Sequence, residues 1–138
     1  MGSYGPSTID EETGKPIGTN FPVITINDMV NAQYNLLEHF KIDKLFAVIG
    51  GSMGGMQVLQ FVSNFPDKAH IAIPIACTSS HSAQNIAFNE LGRQAILADT
   101  NWKNGLYEQN KTSPDKGLAV ARMAAHITYL SKKGLQEK

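Results

Sequence analysis

The stretch LFAVIGGSMGGMQVLQFV, residues 45 to 62, constrains the fold more than any other part of the chain. Its first six residues, 45 to 50, form an unbroken apolar run, which is typical of a strand covered on both faces in a parallel sheet. Glycines follow, and Met56, Leu59 and Val62 then continue with the spacing of a helix. A buried strand, a tight turn and a helix are therefore predicted in that order.

The turn in this stretch carries a serine between glycines. Gly50, Ser52 and Gly54 match G-x-S-x-G at the strand-to-helix position where that motif presents a nucleophile. The tight turn strains the serine backbone, and the glycines of the elbow remove the clash with neighbouring side chains. The helix N-terminus lies beneath the hydroxyl, with the amide of Met53 aimed at a developing oxyanion. We predict Ser52 as the nucleophile and Met53 as a backbone oxyanion donor.

Glycine-rich turns after strands also bind phosphates, so two other functions require comparison. A P-loop needs G-x-x-x-x-G-K-[ST], and no lysine follows the glycines here. A dinucleotide-binding fold expects an acidic residue near the end of the next strand, whereas the next apolar run ends in Cys77 and Thr78. The nucleophile is the favoured interpretation, and a phosphate-binding or purely structural turn is the alternative.

Elements on both sides of the motif complete an α/β pattern. Residues 1 to 22 are rich in glycine and proline and predict a long loop. The helix that follows can be capped by Asn27 or Asp28. After the motif, the run IAIPIAC at residues 71 to 77 predicts a second strand, although Pro74 weakens that assignment. Helix, strand, helix, strand is the order typical of α/β folds.

The second half of the chain has a helical pattern. Two helices are predicted, at roughly 81 to 98 and 116 to 131, with a polar loop between them and no strong strand candidate. We therefore predict an α/β fold in which the strand-turn-helix elbow and one further parallel strand precede a helical segment. The predicted division places the core in residues 1 to 80 and the helices in residues 81 to 138.

A hydroxyl nucleophile needs a base, normally a histidine oriented by a carboxylate. Asp99 or Asp115 followed by His126 gives the required chain order. However, His126 lies inside a helical pattern, whereas a strand-end loop is where a catalytic histidine is expected. We therefore do not assign a triad to these residues. None of the four histidines has a metal-ligand spacing to another His, Cys or acid, so no metal site is predicted.

Composition excludes several other functions. Twelve Lys and Arg balance twelve Asp and Glu, and no basic stripe suits a nucleic acid. No apolar run approaches the roughly 20 residues that span a bilayer, so we predict no membrane partner. Cys77 is the only cysteine, which fits a reducing compartment, and a cytoplasmic location is predicted.

Four separated blocks resemble the homoserine O-acetyltransferase family, whose members are acyltransferases with the α/β-hydrolase fold. The blocks are GPSTIDEETGKPIGTNFPVITINDMVNAQ, LFAVIGGSMGGMQVLQF, HSAQNIAFNELGRQAILADTNW and GLAVARMAAHITYLS. They cover nearly the whole chain in the order and spacing of the family, whereas G-x-S-x-G alone would indicate only the superfamily.

This resemblance implies a ping-pong acetyl transfer in methionine biosynthesis. Ser52 would take the acetyl group from acetyl-CoA and pass it to the hydroxyl of L-homoserine, and no cofactor is needed. Arg122 matches the arginine that grips the carboxylate of the amino acid, with Arg93 as an alternative, because a guanidinium pairs with a carboxylate through two parallel hydrogen bonds. The helices from His81 would form a lid that excludes water. The resemblance also implies a homodimer for the full-length protein.

Compared with the family, the chain lacks the N-terminal strands and the C-terminal part that carries the catalytic Asp and His. We therefore expect a central fragment of the fold that is inactive, or nearly so, alone. Three alternatives stay open. They are an O-succinyltransferase acting on homoserine or serine, a serine hydrolase such as an esterase, and a non-catalytic folding or dimerisation role.

Overall fold

The structure is a computed structural model that describes residues 4–137. Its helices and strands are, in chain order, α1 Ile26–His39, β1 Leu45–Gly51, α2 Met53–Asn64, β2 Ala69–Ile75, α3 Ala83–Leu97, α4 Asp115–Tyr129 and α5 Lys132–Gln136. Short 3-10 helices lie at Gly18–Asn20 and Thr100–Gly105. The chain forms two compact units. We call Val23–His81 the elbow unit, and residues 4–22 with 82–137 the helical unit.

The elbow unit contains a two-stranded parallel sheet. β1 and β2 pair in register, with Gly51 opposite Ile75, and α2 connects the strands and packs against both of them. The predicted α/β arrangement is therefore confirmed. Pro74 lies inside β2 without weakening the pair, because the Ile75 carbonyl accepts a hydrogen bond from Ser52 and so faces β1. The nitrogen of Pro74, one residue earlier, faces away from β1.

The core of the elbow unit lies between α1 and α2. Val30 of α1 and Val58 and Phe61 of α2 are buried. In β1, by contrast, Phe46 is 78% exposed and Ile49 is 62% exposed. The expectation that β1 is covered on both faces is wrong for residues 4–137, because α2 is the helix that packs extensively against the strands and it covers one face of them.

The first helix begins earlier than its predicted cap. Thr25 is the N-cap of α1, and its side chain accepts a hydrogen bond from the amide of Asp28. The Asp28 carboxylate in turn accepts hydrogen bonds from the amide and the hydroxyl of Thr25, which lowers its pKa. Asp28 is therefore the third residue of a capping box, and the predicted caps, Asn27 or Asp28, were wrong.

The helical unit is built on the pair α3 and α4, which pack against each other. Gly117 allows their closest approach, since a β-carbon there would lie 2.5 Å from the carbonyl oxygen of Ala95. One turn further along α4, Ala121 lies opposite Gly92, where a β-carbon on the glycine would lie at an ordinary 3.6 Å from the Cβ of Ala121. Small residues therefore let the two helices approach closely, and α3 and α4 correspond to the helices predicted at roughly 81 to 98 and 116 to 131. Across residues 4–137, no helix is both long and apolar enough to cross a membrane.

Residues 4–22 pack with the helical unit. Ile9 and Pro16 form an isolated antiparallel bridge, and the side chain of Thr19 fills the space where Gly105, at a positive φ of 84°, would carry a β-carbon. Residues 4–22 of the predicted loop are thus folded on the residues that follow α3. The structure groups these residues with the helices, whereas the division at residue 80 placed them with the core. As a division into domains, that boundary stays a prediction.

Candidate active site

Ser52 occupies the turn between β1 and α2. Its backbone angles are φ 54° and ψ −119°, a conformation that non-glycine residues rarely adopt. Its amide donates a hydrogen bond to the carbonyl of Ile75 at 2.9 Å, and its carbonyl accepts one from the amide of Met56 at 3.2 Å. The residue is exposed. The turn therefore fixes the Ser52 backbone and leaves its side chain open to solvent.

Two glycines make this turn sterically possible. A β-carbon on Gly50 would overlap the carbonyl group of Gly54, and one on Gly55 would lie 2.6 Å from the Sγ of Cys77. A β-carbon on Gly54 would meet no atom within 4 Å. The steric requirement thus falls on Gly50 and Gly55, with Gly54 contributing its backbone. Sequence reasoning missed Gly55, although the pair of adjacent glycines after Met53 was a signal for it.

The start of α2 supplies a polar environment for the Ser52 hydroxyl. Met53 is the first residue of α2, and the amides of a first helical turn have no partner inside the helix. The helix has no acidic residue in its first turn, so its partial positive charge is not neutralised there. The Ser52 side chain does not cap the helix. An exposed hydroxyl beside a free amide and a helix N-terminus can attack a carbonyl and stabilise the oxyanion that forms.

The three histidines of the elbow unit lie at other positions. His39 ends α1 and contacts the ring of Phe40, and His70 is an exposed residue of β2. His81 lines a cavity of about 330 Å³ together with Met56 and the segment 78–80. Within the described part of the chain, no hydrogen bond joins the Ser52 hydroxyl to an imidazole.

The triad candidates of the helical unit serve local structure. The Asp99 carboxylate accepts hydrogen bonds from the amides of Gly117 and Asn101, each at 2.9 Å, and these bonds lower its pKa. Asp115 accepts a hydrogen bond from the hydroxyl of Ser113. The Nδ1 atom of His126 lies 3.0 Å from the carbonyl oxygen of Arg122, one turn back in α4. These contacts agree with leaving the three residues out of a triad.

The two candidate arginines differ in their partners. Arg122 is exposed on α4, and among residues 4–137 no carboxylate forms an ion pair with it. Arg93 donates to the Glu90 carboxylate, which Gln94 also bonds, and these contacts lower the pKa of Glu90. Arg93 also lines a largely apolar cavity of about 410 Å³ in the helical unit. Of the two guanidinium groups, that of Arg122 is the one without a carboxylate partner in this part of the chain.

Residues 4–137 contain no group of three or more His, Cys, Asp or Glu side chains that could hold a metal ion.

Comparison with known proteins agrees with this geometry. A homoserine O-acetyltransferase of Pelagibacter ubique is 76% identical over all 138 residues, which correspond to 37% of that protein. The chain thus spans about a third of the length of the curated relatives it matches. This similarity confirms the family resemblance read from the four sequence blocks.

Solved structures give the same fold. Esterase E22 is 38% identical with a TM-score of 0.85, over 96% of this chain and 36% of that chain. The homoserine O-acetyltransferase from Bacillus anthracis is 29% identical with a TM-score of 0.82, over 89% of this chain and 33% of that chain. The family model for the alpha/beta hydrolase fold matches residues 4–134. From its sequence, its strand-turn-helix elbow and these matches, the chain belongs to the alpha/beta hydrolase fold family.

Proposed function

We propose that this chain carries the nucleophile of a homoserine O-acetyltransferase. The Ser52 oxygen attacks the thioester carbon of acetyl-CoA, its proton passes to a base, and the CoA thiolate leaves. The hydroxyl of L-homoserine then attacks the acetyl-Ser52 ester and departs as O-acetyl-L-homoserine, which regenerates the serine. The exposed Ser52 in its strained turn carries this proposal. The similarity to the Pelagibacter ubique relative supports the choice of substrates.

The backbone around Ser52 suits the charge that develops in both steps. Each attack converts a carbonyl oxygen into an oxyanion, and Met53 is the residue whose amide we assign as one donor to it. The N-terminus of α2 adds a favourable partial charge. Gly50 has no β-carbon to overlap the carbonyl group of Gly54, so the backbones of these two residues can approach closely in the turn.

Arg122 is our candidate for recognition of the acceptor. Its exposed guanidinium can bind the carboxylate of homoserine through two parallel hydrogen bonds. Arg93 is a poorer candidate, since Glu90 already occupies its donors. The helices that follow His81 would restrict water at the acyl-enzyme, so that homoserine is the acceptor.

Several finer parts of the proposal concern the whole protein. Among residues 4–137, those that hydrogen-bond Ser52 do so through backbone groups and include no candidate base, and we expect the 138-residue chain alone to be inactive or nearly so. Acetyl-CoA acts as a substrate, and no cofactor takes part. A cytoplasmic location, a homodimeric full-length protein and a place in methionine biosynthesis belong to the same proposal.

An esterase is the second candidate function. Esterase E22 is more similar to this chain, in both identity and TM-score, than the solved homoserine O-acetyltransferase of Bacillus anthracis. In an esterase, water would attack the acyl-Ser52 ester in place of homoserine. Both functions pass through an acyl-Ser52 ester, and they are distinguished in the second half of the reaction by the acceptor.

A chimeric protein tests both candidates. These 138 residues would replace the matching residues of the Pelagibacter ubique relative, and CoA release and product would be measured with and without L-homoserine. We expect CoA release, an acetyl group on the peptide that contains Ser52, and O-acetyl-L-homoserine as product. Ser52→Ala should abolish all three, while Ser79→Ala serves as the matched control.

Two results would contradict the proposal. Acetyl transfer that persists in the Ser52→Ala variant would show that Ser52 is not the nucleophile. Release of free acetate at the same rate with and without homoserine would favour the esterase function over the transferase function.

A further inference from the structure

The end of β2 contacts the Ser52 turn at two places. The Ile75 carbonyl accepts a hydrogen bond from the Ser52 amide at 2.9 Å. Two residues later, the side chain of Cys77 lies against Gly55 in the first turn of α2. A β-carbon on Gly55 would lie 2.6 Å from the Sγ and 2.8 Å from the Cβ of Cys77, so no atom fits between them. The segment 75–77 therefore holds both the nucleophile and the helix that follows it.

The backbone between these two contacts is strained. Ala76 has φ 48°, in the left-handed region that a residue with a β-carbon rarely occupies. Such a conformation persists only where the surroundings over-determine it, and here the contacts of Ile75 and Cys77 lie on either side. The surrounding contacts therefore fix the position of Cys77 against Gly55.

We infer that Cys77 is a positioning residue for Ser52, acting through Gly55, an inference that rests on the proposed function. Gly55 is buried and lies three residues after Ser52. A β-carbon there would also lie 3.1 Å from the carbonyl oxygen of Gly50, so Gly55 is enclosed by β1 on one side and by the segment after β2 on the other. The size of the Cys77 side chain therefore sets how closely the first turn of α2 approaches the sheet. That distance fixes the direction of the Met53 amide and of the Ser52 hydroxyl.

This role depends on the volume of residue 77 and not on thiol chemistry. Cys77→Ser keeps a β-carbon and one further atom, and it should retain most of the activity. Gly55→Ala inserts a methyl group where Cys77 already lies, and it should displace the first turn of α2. A displacement near 1 Å at a reacting group lowers the rate on the order of a hundredfold.

The test is a double-mutant cycle in the chimera described above, with acetylation of Ser52 by acetyl-CoA as the rate and thermal unfolding recorded beside it. Gly55→Ala should lower kcat on the order of a hundredfold. Cys77→Gly removes the two atoms that lie nearest to the new methyl group, so Gly55→Ala with Cys77→Gly should be faster than Gly55→Ala alone. Gly92→Ala, a glycine with only an ordinary contact to Ala121, controls for the glycine-to-alanine change.

The outcomes separate this inference from the proposed function. If the unmutated chimera is not acetylated at Ser52, both fall together. If it is acetylated and Cys77→Gly fails to rescue Gly55→Ala, only the positioning role falls. If Gly55→Ala does not fold, the kcat of the single variant Cys77→Gly, which leaves a gap beside Gly55, tests the inference. A kcat equal to that of the unmutated chimera would then overturn the inference, and a lower kcat with an unchanged unfolding temperature would support it.

Discussion

At the scale of single residues, the two glycines of G-x-S-x-G have different roles. A β-carbon on Gly50 overlaps the carbonyl group of Gly54, so we expect Gly50→Ala to lower the free energy of unfolding by about 1–3 kcal/mol. Gly54 is the second residue of α2 and has open space around it, so Gly54→Ala should be neutral or gain up to about 1 kcal/mol of helix propensity. Denaturant unfolding of both variants measures this difference. Equal stabilities would contradict it.

The two arginines allow a similar contrast in function. In the chimera, Arg122→Gln should raise the KM for L-homoserine about tenfold to a hundredfold, the usual worth of hydrogen bonds to a charged group. The first-turnover release of CoA, which precedes attack by the acceptor, should change much less. Arg93→Gln is the matched control, since Arg93 already pairs with Glu90. Steady-state kinetics with homoserine as the varied substrate decides, and a larger effect from Arg93→Gln would reverse the assignment.

The sequence predicted which motif residues form the turn, but it did not predict why the turn needs each glycine. The pattern G-x-S-x-G gave Ser52 its position between a strand and a helix, because that motif depends on local backbone geometry. The contact between Gly55 and Cys77 joins residues 22 positions apart in the sequence, and the register of β1 against β2 creates it. A local motif holds no information on that register, so Gly55 was not predicted.

At the scale of elements, the packing of α3 on α4 depends on Gly117. A β-carbon there would lie 2.5 Å from the carbonyl oxygen of Ala95, so Gly117→Ala should destabilise the chain by about 1–3 kcal/mol. Gly92 belongs to the same pair of helices, but a β-carbon there would lie 3.6 Å from the Cβ of Ala121, an ordinary contact, so Gly92→Ala should be tolerated. Thermal unfolding compares the two variants. A greater loss for Gly92→Ala would contradict this account of the crossing.

The start of α4 is tied to the preceding loop by a carboxylate that titrates. Amides of Gly117 and Asn101 lower the pKa of Asp99, so its folded pKa lies below its unfolded pKa. Its contribution to stability is therefore complete above the unfolded pKa, about 3.9, and is lost as pH falls through the folded pKa. Asp99→Asn should flatten the dependence of stability on pH in this acidic range. Asp67 is exposed, and Asp67→Asn is the control. An equal change in the pH dependence of stability for both variants would contradict the role assigned to the Asp99 hydrogen bonds.

Element type was predictable where the pattern was strong and local. The apolar runs gave β1 and β2, and the 3.6-residue spacing gave α1 to α4. The cap at Thr25 was missed because the nearby Asn27 and Asp28 belong to residue types that rank above threonine as N-caps. The capping box that selects Thr25 appears only when the carboxylate of Asp28 turns back to it.

At the scale of the whole molecule, the sheet has exposed apolar surface. Parallel strands are normally covered on both faces, and the outer edges of a two-stranded sheet carry unpaired backbone groups. Phe46 is 78% exposed on β1, so we expect the 138-residue chain to self-associate at about micromolar to millimolar concentrations. Phe46→Ser should weaken this association, whereas Phe40→Ser, an exposed phenylalanine outside the strands, should not. Sedimentation velocity over a concentration series measures the effect. A chain that stays monomeric throughout, or an equal response to Phe40→Ser, would mean that the open sheet does not drive association.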